Sequence, residues 1–247
     1  MPLPPKNIRV LHVYKTYYPD TTGGVEMVLC QLMRALKPMG VENRLLVLSP
    51  EANPVRMEYP EAQVIRCRTS FEMASNPMSL SALGEFRRQL DWADIVHYQF
   101  PWPFGDLLHW LHGGRKPSVV SYQSDIVRQK NLMRLYRPLM RRFLASVDRI
   151  CATSPNYRAT SAILSQLGKR VDVIPNGMDA AMCPSATSEV LEQWKSRLGQ
   201  GFFLFVGVLR YYKGLHTLVE ASVGIDLPVV IAGSGPERDA LEAQARK

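Results

Sequence analysis

PSVVSYQSDIVRQKNLMRLYRPLMRRFLASVDRICATS, residues 117–154, opens on PSVVSY (117–122), closes on DRICATS (148–154) and holds a helical pattern between the two. A continuous apolar strand, a helix-length spacer and a second continuous strand make a βαβ unit. Its strands are parallel and covered on both faces, because a half-exposed strand would alternate polar and apolar residues instead. The same unit extends in both directions through IRVLHVY (8–14), NRLLVLS (43–49), VIRC (64–67), DIVHYQ (94–99) and VDVIPNG (171–177), with helical periodicity between them. These runs predict an α/β fold: a doubly wound, Rossmann-like domain on a parallel sheet.

After Pro184 the alternation begins afresh. SATSEVLEQWKSRLGQG (185–201) predicts a helix with acidic residues early and Gly199 and Gly201 as stops. FFLFVGVL (202–209), a helix over about 214–223 and LPVVIAG (227–233) follow. Residues 1–184 are therefore expected to form a complete first domain, and 185–247 the beginning of a second Rossmann-like domain. The final stretch, VVIAGSGPERDALEAQARK (229–247), reads as a strand, a glycine turn and an opening helix. Two parallel strands leave long edges unpaired, whereas sheets usually have about four to six strands, so the second domain is expected to be incomplete.

The chain has 247 residues, 46% hydrophobic and 21% charged, as in ordinary globular proteins. No stretch approaches the ~18 apolar residues of a membrane span, and MPLPPKNIRVLHVY lacks the apolar core and cleavage site of a signal peptide, so the expected compartment is the cytosol. Cys30, Cys67, Cys151 and Cys183 fall in no metal-ligand spacing and read as reduced cysteines, most of them in apolar runs. Net charge is +8; residues 185–247 carry seven basic and seven acidic side chains, so the whole surplus lies in residues 1–184. That asymmetry points the first domain at something anionic: phosphates, a nucleic acid or an acidic membrane surface.

The charge concentrates in IVRQKNLMRLYRPLMRRF (126–143), where Arg128, Lys130, Arg134, Arg137, Arg141 and Arg142 stand with no acidic residue among them. Arg134, Arg137 and Arg141 share one helical stripe, and Leu132, Leu135, Leu139 and Phe143 share another. Pro138 is expected to kink the helix or divide it into two shorter pieces. One reading is a surface helix with its apolar stripe on the core. The other is a contact for acidic lipid headgroups or a diphosphate-bearing acceptor. Nucleic acid ranks below both, because neither an aromatic stacking platform nor a recognition-helix motif accompanies the charge.

In YYPDTTGGVEMVLCQLMRAL (17–36), Gly23 and Gly24 precede a helix expected to begin near Val25. The pair either lets backbone approach an anion at the helix N-terminus or makes a plain tight turn. The dinucleotide fingerprint GxGxxG and an acidic residue at the end of the second strand are both missing, which weighs against an NAD site. In FVGVLRYYKGLHTL (205–218), Arg210 and Lys213 lie beyond a strand and ahead of a helix, where they suit a diphosphate: Arg as a fork, Lys as a point charge. A merely solvated pair is the alternative, against which stands the helix dipole that disfavours cations at that end.

GGVE (23–26), ATSPNY (152–157), VDVIPNGMD (171–179), VGVLRYYKGL (206–215) and IAGSGPE (231–237) occur in the order and spacing of retaining glycosyltransferases of family 4, and from Val10 to about Leu241 the chain resembles that family. The resemblance implies a GT-B fold, with an N-terminal acceptor domain, a C-terminal nucleotide-sugar domain and reaction in the cleft between them. It implies transfer with retention and without a metal, the leaving phosphate helping to deprotonate the acceptor hydroxyl. Gly23, Gly24, Arg210, Lys213, Gly233 and Gly235 would bind the donor; Tyr122, Gln123 and Asp125 would meet the acceptor side; Arg210, Lys213 and Gln123 would carry catalysis. No cofactor is implied beyond the donor substrate itself, for which SDIVRQK (124–130) and RYYKGL (210–215) suggest GDP-mannose or a related GDP-sugar.

Three departures from the family pattern stand out. Val208 follows the strand glycine where many relatives have Arg, leaving that task to Arg210. Gln123 stands where the family often has a His by the transferred sugar; Gln hydrogen-bonds but carries no proton. Asp125 beyond it, which is no departure, remains both a candidate sugar or acceptor contact and a candidate helix N-cap. Finally, the family's donor domain continues for roughly another hundred residues, with a Glu-x7-Glu segment that holds sugar and ribose. By resemblance the chain is a fragment, inactive alone, of a mannosyl- or rhamnosyl-type transferase that builds a surface polysaccharide or glycolipid such as lipopolysaccharide at the cytosolic membrane face. The alternative is a non-catalytic module that docks on a membrane or a partner.

Overall fold

A computed structural model describes residues 7–74, 76–126, 130–182, 184–199 and 201–246. Arg128 and Cys183 lie outside the described residues, as does the side chain of Lys130. The chain divides into two units, Met1–Asp179 and Ala180–Lys247.

The first unit runs β1 (Ile8–Val13), α1 (Gly24–Leu36), β2 (Val41–Ser49), β3 (Arg56–Glu58), β4 (Gln63–Arg68), β5 (Phe71–Met73), β6 (Asn76–Met78), α2 (Leu80–Trp92), β7 (Ile95–Phe100), α3 (Pro103–His112), β8 (Ser118–Tyr122), α4 (Lys130–Ser146), β9 (Arg149–Ala152), α5 (Pro155–Thr160) and β10 (Val171–Val173). Its eight-stranded sheet has the order β10-β9-β8-β7-β1-β2-β4-β3. All neighbours are parallel except β3, which pairs antiparallel with β4 at the edge. Every apolar run read as a strand is one.

Three strands escaped the sequence reading: β3, and the antiparallel hairpin of β5 with β6. Each is three residues long, and β3 and β5 bury nothing, so no apolar run marks them.

The main core lies on one face of the sheet. Leu11, Val13, Ile65, Val96, Tyr98 and Val120 meet Phe86 of α2, Phe104 and Leu108 of α3, and Met140, Phe143 and Leu144 of α4 there. Pro138 does not divide α4, which is one 17-residue helix with the proline inside it. Its core-facing stripe is Met133, Tyr136, Met140, Phe143 and Leu144. The expected stripe of Leu132, Leu135, Leu139 and Phe143 is thus correct only at Phe143. Leu135 is 80% exposed, and Leu132, Leu135 and Leu139 border a groove of about 420 Å³ shared with Met73 and Trp102. Two apolar arcs compete on this helix, and only packing selects between them.

The second unit contains α6 (Ser188–Leu198), β11 (Phe203–Val206), α7 (Leu215–Ala221), β12 (Val229–Ala232) and α8 (Arg238–Ala245). Strands β11 and β12 pair in parallel. A small core of Leu209, Leu215 and Leu241, with Phe205 and Ile231 against it, holds the unit together. Among the described residues no helix is long and apolar enough to cross a membrane.

Candidate functional site

In an open parallel sheet the ligand-bearing loops lie beyond the carboxyl ends of the strands, because the helices that follow begin there. Gln123 is the first residue beyond β8, and its backbone N–H donates to Phe100 O at 3.0 Å. Its side-chain Nε2 donates to Gln99 Oε1 at 2.9 Å, and its Oε1 accepts from Asn176 Nδ2 at 3.3 Å. The PNG segment after β10 and the Gln after β8 are therefore joined directly.

Behind Gln123 lies a buried polar chain that the sequence reading missed. His12 of β1 and His97 of β7 are register partners and lie Nδ1 to Nδ1 at 2.8 Å. His12 Nε2 meets Asn43 Oδ1 at 3.1 Å; His97 Nε2 meets Ser121 Oγ at 2.8 Å and Gln99 Nε2 at 3.4 Å. Burial drives both imidazoles toward neutrality. His12 falls to about 4, opposed by its Asn43 hydrogen bond, and His97 falls well below its usual value through burial and the neighbouring His12. A signal was available, since each of two mainly apolar stretches, IRVLHVY and DIVHYQ, carries one His. Partners across 85 residues of sequence were not readable. His12, His97, Ser121 and Asn176 border a cavity of about 540 Å³ on the α1 side of the sheet, shared with Ile95 and Cys151.

Two expectations for the acceptor side change. Tyr122 is 0% exposed and stacks on Phe100 with ring centroids 4.5 Å apart, so it cannot touch an acceptor. Instead its hydroxyl donates to Asp125 Oδ1 at 2.7 Å, and Ser161 Oγ donates to the same oxygen at 2.9 Å. Asp125 does not act as a helix N-cap, because Ile126 directly after it is not helical. The carboxylate pins the loop beyond β8 to the end of α5.

Helix α1 begins at Gly24, one residue before the expected Val25, with Gly23 as its N-cap and no side chain capping it. The two glycines differ in surroundings. A Cβ on Gly23 would strike the carboxylate of Glu26, which accepts from Thr21 Oγ1 at 2.7 Å, whereas a Cβ on Gly24 meets nothing. An anion at Gly23 would face a carboxylate. At Gly24 the approach is open.

In the second unit, Arg210 and Lys213 are both exposed on the connection from β11 to α7. The Arg210 side chain has no hydrogen-bond or ion-pair partner among the described residues, its backbone bonding Val208 O and Lys213 N, and Lys213 Nζ lies 5.5 Å from the Tyr212 ring centre. Gly233 and Gly235 both have φ of +158°, and a Cβ on either would enter backbone of the 207–209 segment. Hydrogen bonds from Leu209 N to Ser234 O at 2.9 Å and from Glu237 N to Leu209 O at 3.2 Å hold the two loops at that separation. Close approach of two backbones accounts for both glycines. In the first unit, Arg134, Arg137 and Arg141 are exposed on α4 and have no ion-pair partner among the described residues.

Residues 22–181 match the family described as Glycosyltransferase Family 4, and residues 187–247 match Glycosyl transferases group 1. The chain is 50% identical over 238 residues to a D-rhamnosyltransferase, WbpZ, of Pseudomonas aeruginosa, an alignment covering 96% of this chain and 62% of that protein. It is 46% identical over 240 residues to O-antigen chain mannosyltransferase C of Escherichia coli, covering 97% and 63%. The chain thus spans a little under two thirds of the length of these relatives. Among solved structures, a sucrose-phosphate synthase from Thermosynechococcus elongatus superposes with a TM-score of 0.67 at 15% identity, covering 97% of this chain and 66% of that one. Anabaena Alr3699/HepE in complex with UDP superposes with a TM-score of 0.62 at 16% identity, covering 97% and 66%. At such identities the likeness is one of fold.

Proposed function

The chain belongs to glycosyltransferase family 4, and from that premise we propose that it serves the transfer of mannose or a deoxyhexose such as rhamnose from a nucleotide-diphosphate sugar to a glycan or lipid-linked acceptor. The donor is a GDP-sugar, with GDP-mannose the first candidate, and transfer proceeds with retention. The observation that carries this reading is the pair of identities, 50% and 46% across at least 96% of the chain, to a rhamnosyltransferase and a mannosyltransferase. The alternative of a non-catalytic docking module is not favoured by those identities. Solved structures of this fold in complex with UDP and UDP-glucose support a nucleotide-sugar as the ligand class.

In this reading Arg210 and Lys213 supply fixed positive charge to the diphosphate as it leaves, which stabilises the developing negative charge without a metal. The bond from the anomeric carbon to phosphate breaks while the acceptor oxygen bonds to the same face, and the acceptor proton passes to the departing phosphate. Gln123 holds a sugar hydroxyl and moves no proton. Gly24 leaves room for a phosphate at α1. Arg134, Arg137 and Arg141 bring the first unit to anionic lipid at the inner membrane face, where a lipid-linked acceptor is found.

Calorimetric titration with GDP, GDP-mannose, UDP and UDP-glucose tests the proposal. Preferential binding of the GDP compounds is expected. Preference for UDP-glucose, or binding of no nucleotide at all, overturns it.

A further inference from the structure

We propose that His12, His97 and Gln99 are positioning residues: they form a one-way hydrogen-bond chain, anchored at Asn43, that decides which end of the Gln123 amide faces Asn176 and the substrate. The functional part rests on the reading of Gln123 as a sugar-side residue. The chain itself follows from donor and acceptor arithmetic among neutral, buried side chains.

Asn43 is the anchor. Its Nδ2 donates to two backbone carbonyls, Met33 O at 3.1 Å and Glu61 O at 3.4 Å, so its Oδ1 has to be the acceptor. His12 Nε2, 3.1 Å from that oxygen, therefore carries a proton. A neutral imidazole has one N–H, so His12 Nδ1 is bare and accepts from His97 Nδ1 across 2.8 Å. That uses the single N–H of His97. Its Nε2 is then an acceptor, for the Ser121 hydroxyl at 2.8 Å and the Gln99 amide at 3.4 Å. Turning the Gln99 amide over would set an oxygen against a bare nitrogen, so Gln99 presents its Oε1 to Gln123 Nε2 at 2.9 Å. Gln123 Oε1 then faces Asn176 Nδ2, at 3.3 Å.

Each link fixes the next because every group is neutral and the chain runs through buried side chains: Asn43, His12, His97 and Gln99 are all at most 6% exposed. It crosses four neighbouring strands, from β2 through β1 and β7 to β8, and emerges beyond the carboxyl end of β8. What emerges is an amide with one N–H and one oxygen lone pair already spent. The remaining N–H and lone pair match a hydroxyl, which both donates and accepts. Gln123 is thereby preset for a sugar hydroxyl before any substrate arrives, which removes the cost of ordering it on binding.

Protein labelled with 15N at histidine rings and glutamine side chains, studied by 1H–15N correlation at pH 7, reads the chain directly. Expected are a proton on Nε2 alone in His12, a proton on Nδ1 alone in His97, and a Gln123 amide pair with one N–H shifted by its bond to Gln99. Gln99→Leu keeps both tautomers, because Ser121 still donates to His97, but collapses that shift. A proton on His97 Nε2, a charged ring in either histidine, or a Gln123 signal indifferent to Gln99→Leu overturns the proposal; the wild-type tautomers decide it alone should the variant not fold. In donor titrations, Gln99→Leu lowers the affinity for GDP-mannose relative to GDP about fivefold, the worth of one hydrogen bond, and lowers it no further in a Gln123→Ala background. Equal losses in both backgrounds show that Gln99 does not act through Gln123. Wild-type protein that binds no nucleotide-sugar while the tautomers stand as described refutes the transferase reading and leaves the chain intact.

Discussion

Gln123 and Gln99 share a hydrogen bond of 2.9 Å between loop and strand, so Gln123 is tied to the buried polar chain behind it. Gln99 is 2% exposed, so its amide is held away from bulk solvent. That tie explains how an uncharged residue can hold a fixed orientation at the mouth of the sheet. It also makes the buried histidines consequential for stability.

Acid unfolding reads those histidines. His12 is held near 4 by burial, and His97 is also lowered. Groups lowered on folding contribute stability that is present above the unfolded value of ~6.5 and is lost as pH falls through the folded one. His12 alone accounts for about 2 kcal/mol between pH 7 and pH 5, at 1.36 kcal/mol per pH unit. Urea unfolding at the two pH values should show that loss or more. A flat profile across the range would contradict neutral burial.

Asp106 has the opposite sense. It is 2% exposed, accepts from the Tyr136 hydroxyl, and burial holds its carboxyl well above the usual range, with that hydrogen bond opposing. A carboxyl raised on folding contributes stability that is fully present below the unfolded value of ~3.9 and is lost as pH rises through the folded one. Asp106→Asn keeps an oxygen for Tyr136 and removes the titration. It should melt higher than wild type at pH 7, with the gap closing toward pH 4; a lower melting temperature at both pH values would reject this account.

The glycines separate packing from ligand approach. Gly235→Ala places a Cβ on the Leu209 backbone at φ +158° and should cost about 2–3 kcal/mol in the second unit. Gly24→Ala meets open space and should stay within about 0.5 kcal/mol of wild type. If a phosphate occupies that space, affinity for the nucleotide-sugar falls about tenfold, or ~1.4 kcal/mol. Unchanged donor affinity in Gly24→Ala removes the phosphate from α1.

Arg210→Ala and Lys213→Ala change exposed side chains, so thermal stability should hold. Loss of a charge-assisted hydrogen bond to the diphosphate is worth about 1.5–3 kcal/mol, a fall in GDP affinity of roughly 10- to 150-fold for each. Calorimetry with GDP suffices. Wild-type affinity in both variants would leave the diphosphate without these partners.

The α4 stripe is tested with vesicles. Arg134, Arg137 and Arg141 are exposed, and changing all three to Ser should leave the fold intact. At ~1 kcal/mol per charge near an anionic surface, the triple variant should bind phosphatidylserine vesicles about 100-fold more weakly at low salt. Sedimentation that is equal for the two proteins, or insensitive to salt, would discard the membrane contact.

Much of the fold was readable because buried parallel strands have to be continuously apolar, and their turns have to carry Gly, Pro or Asn. That is why every long strand of the first unit was placed, while β3, β5 and β6, which bury little, were not. Site reading followed the same division. Gly24, Gln123, Arg210 and Lys213 stand beyond strand ends, where a sequence pattern places them. Tyr122 was misjudged because strand alternation, which puts it and Gln123 on opposite faces, does not say which face is covered: Tyr122 is in the core, and Gln123 is half-buried.

By itself, the order of apolar runs and turn residues determined a doubly wound sheet, a second unit after it and a basic α4. Tertiary structure alone decided which arc of α4 is buried and why Gly233 and Gly235 must lack side chains. It also paired His12 with His97. Periodicity describes what a segment can hide, but the partner against which it hides is chosen by strand order and register, and those bring together residues that local sequence holds far apart.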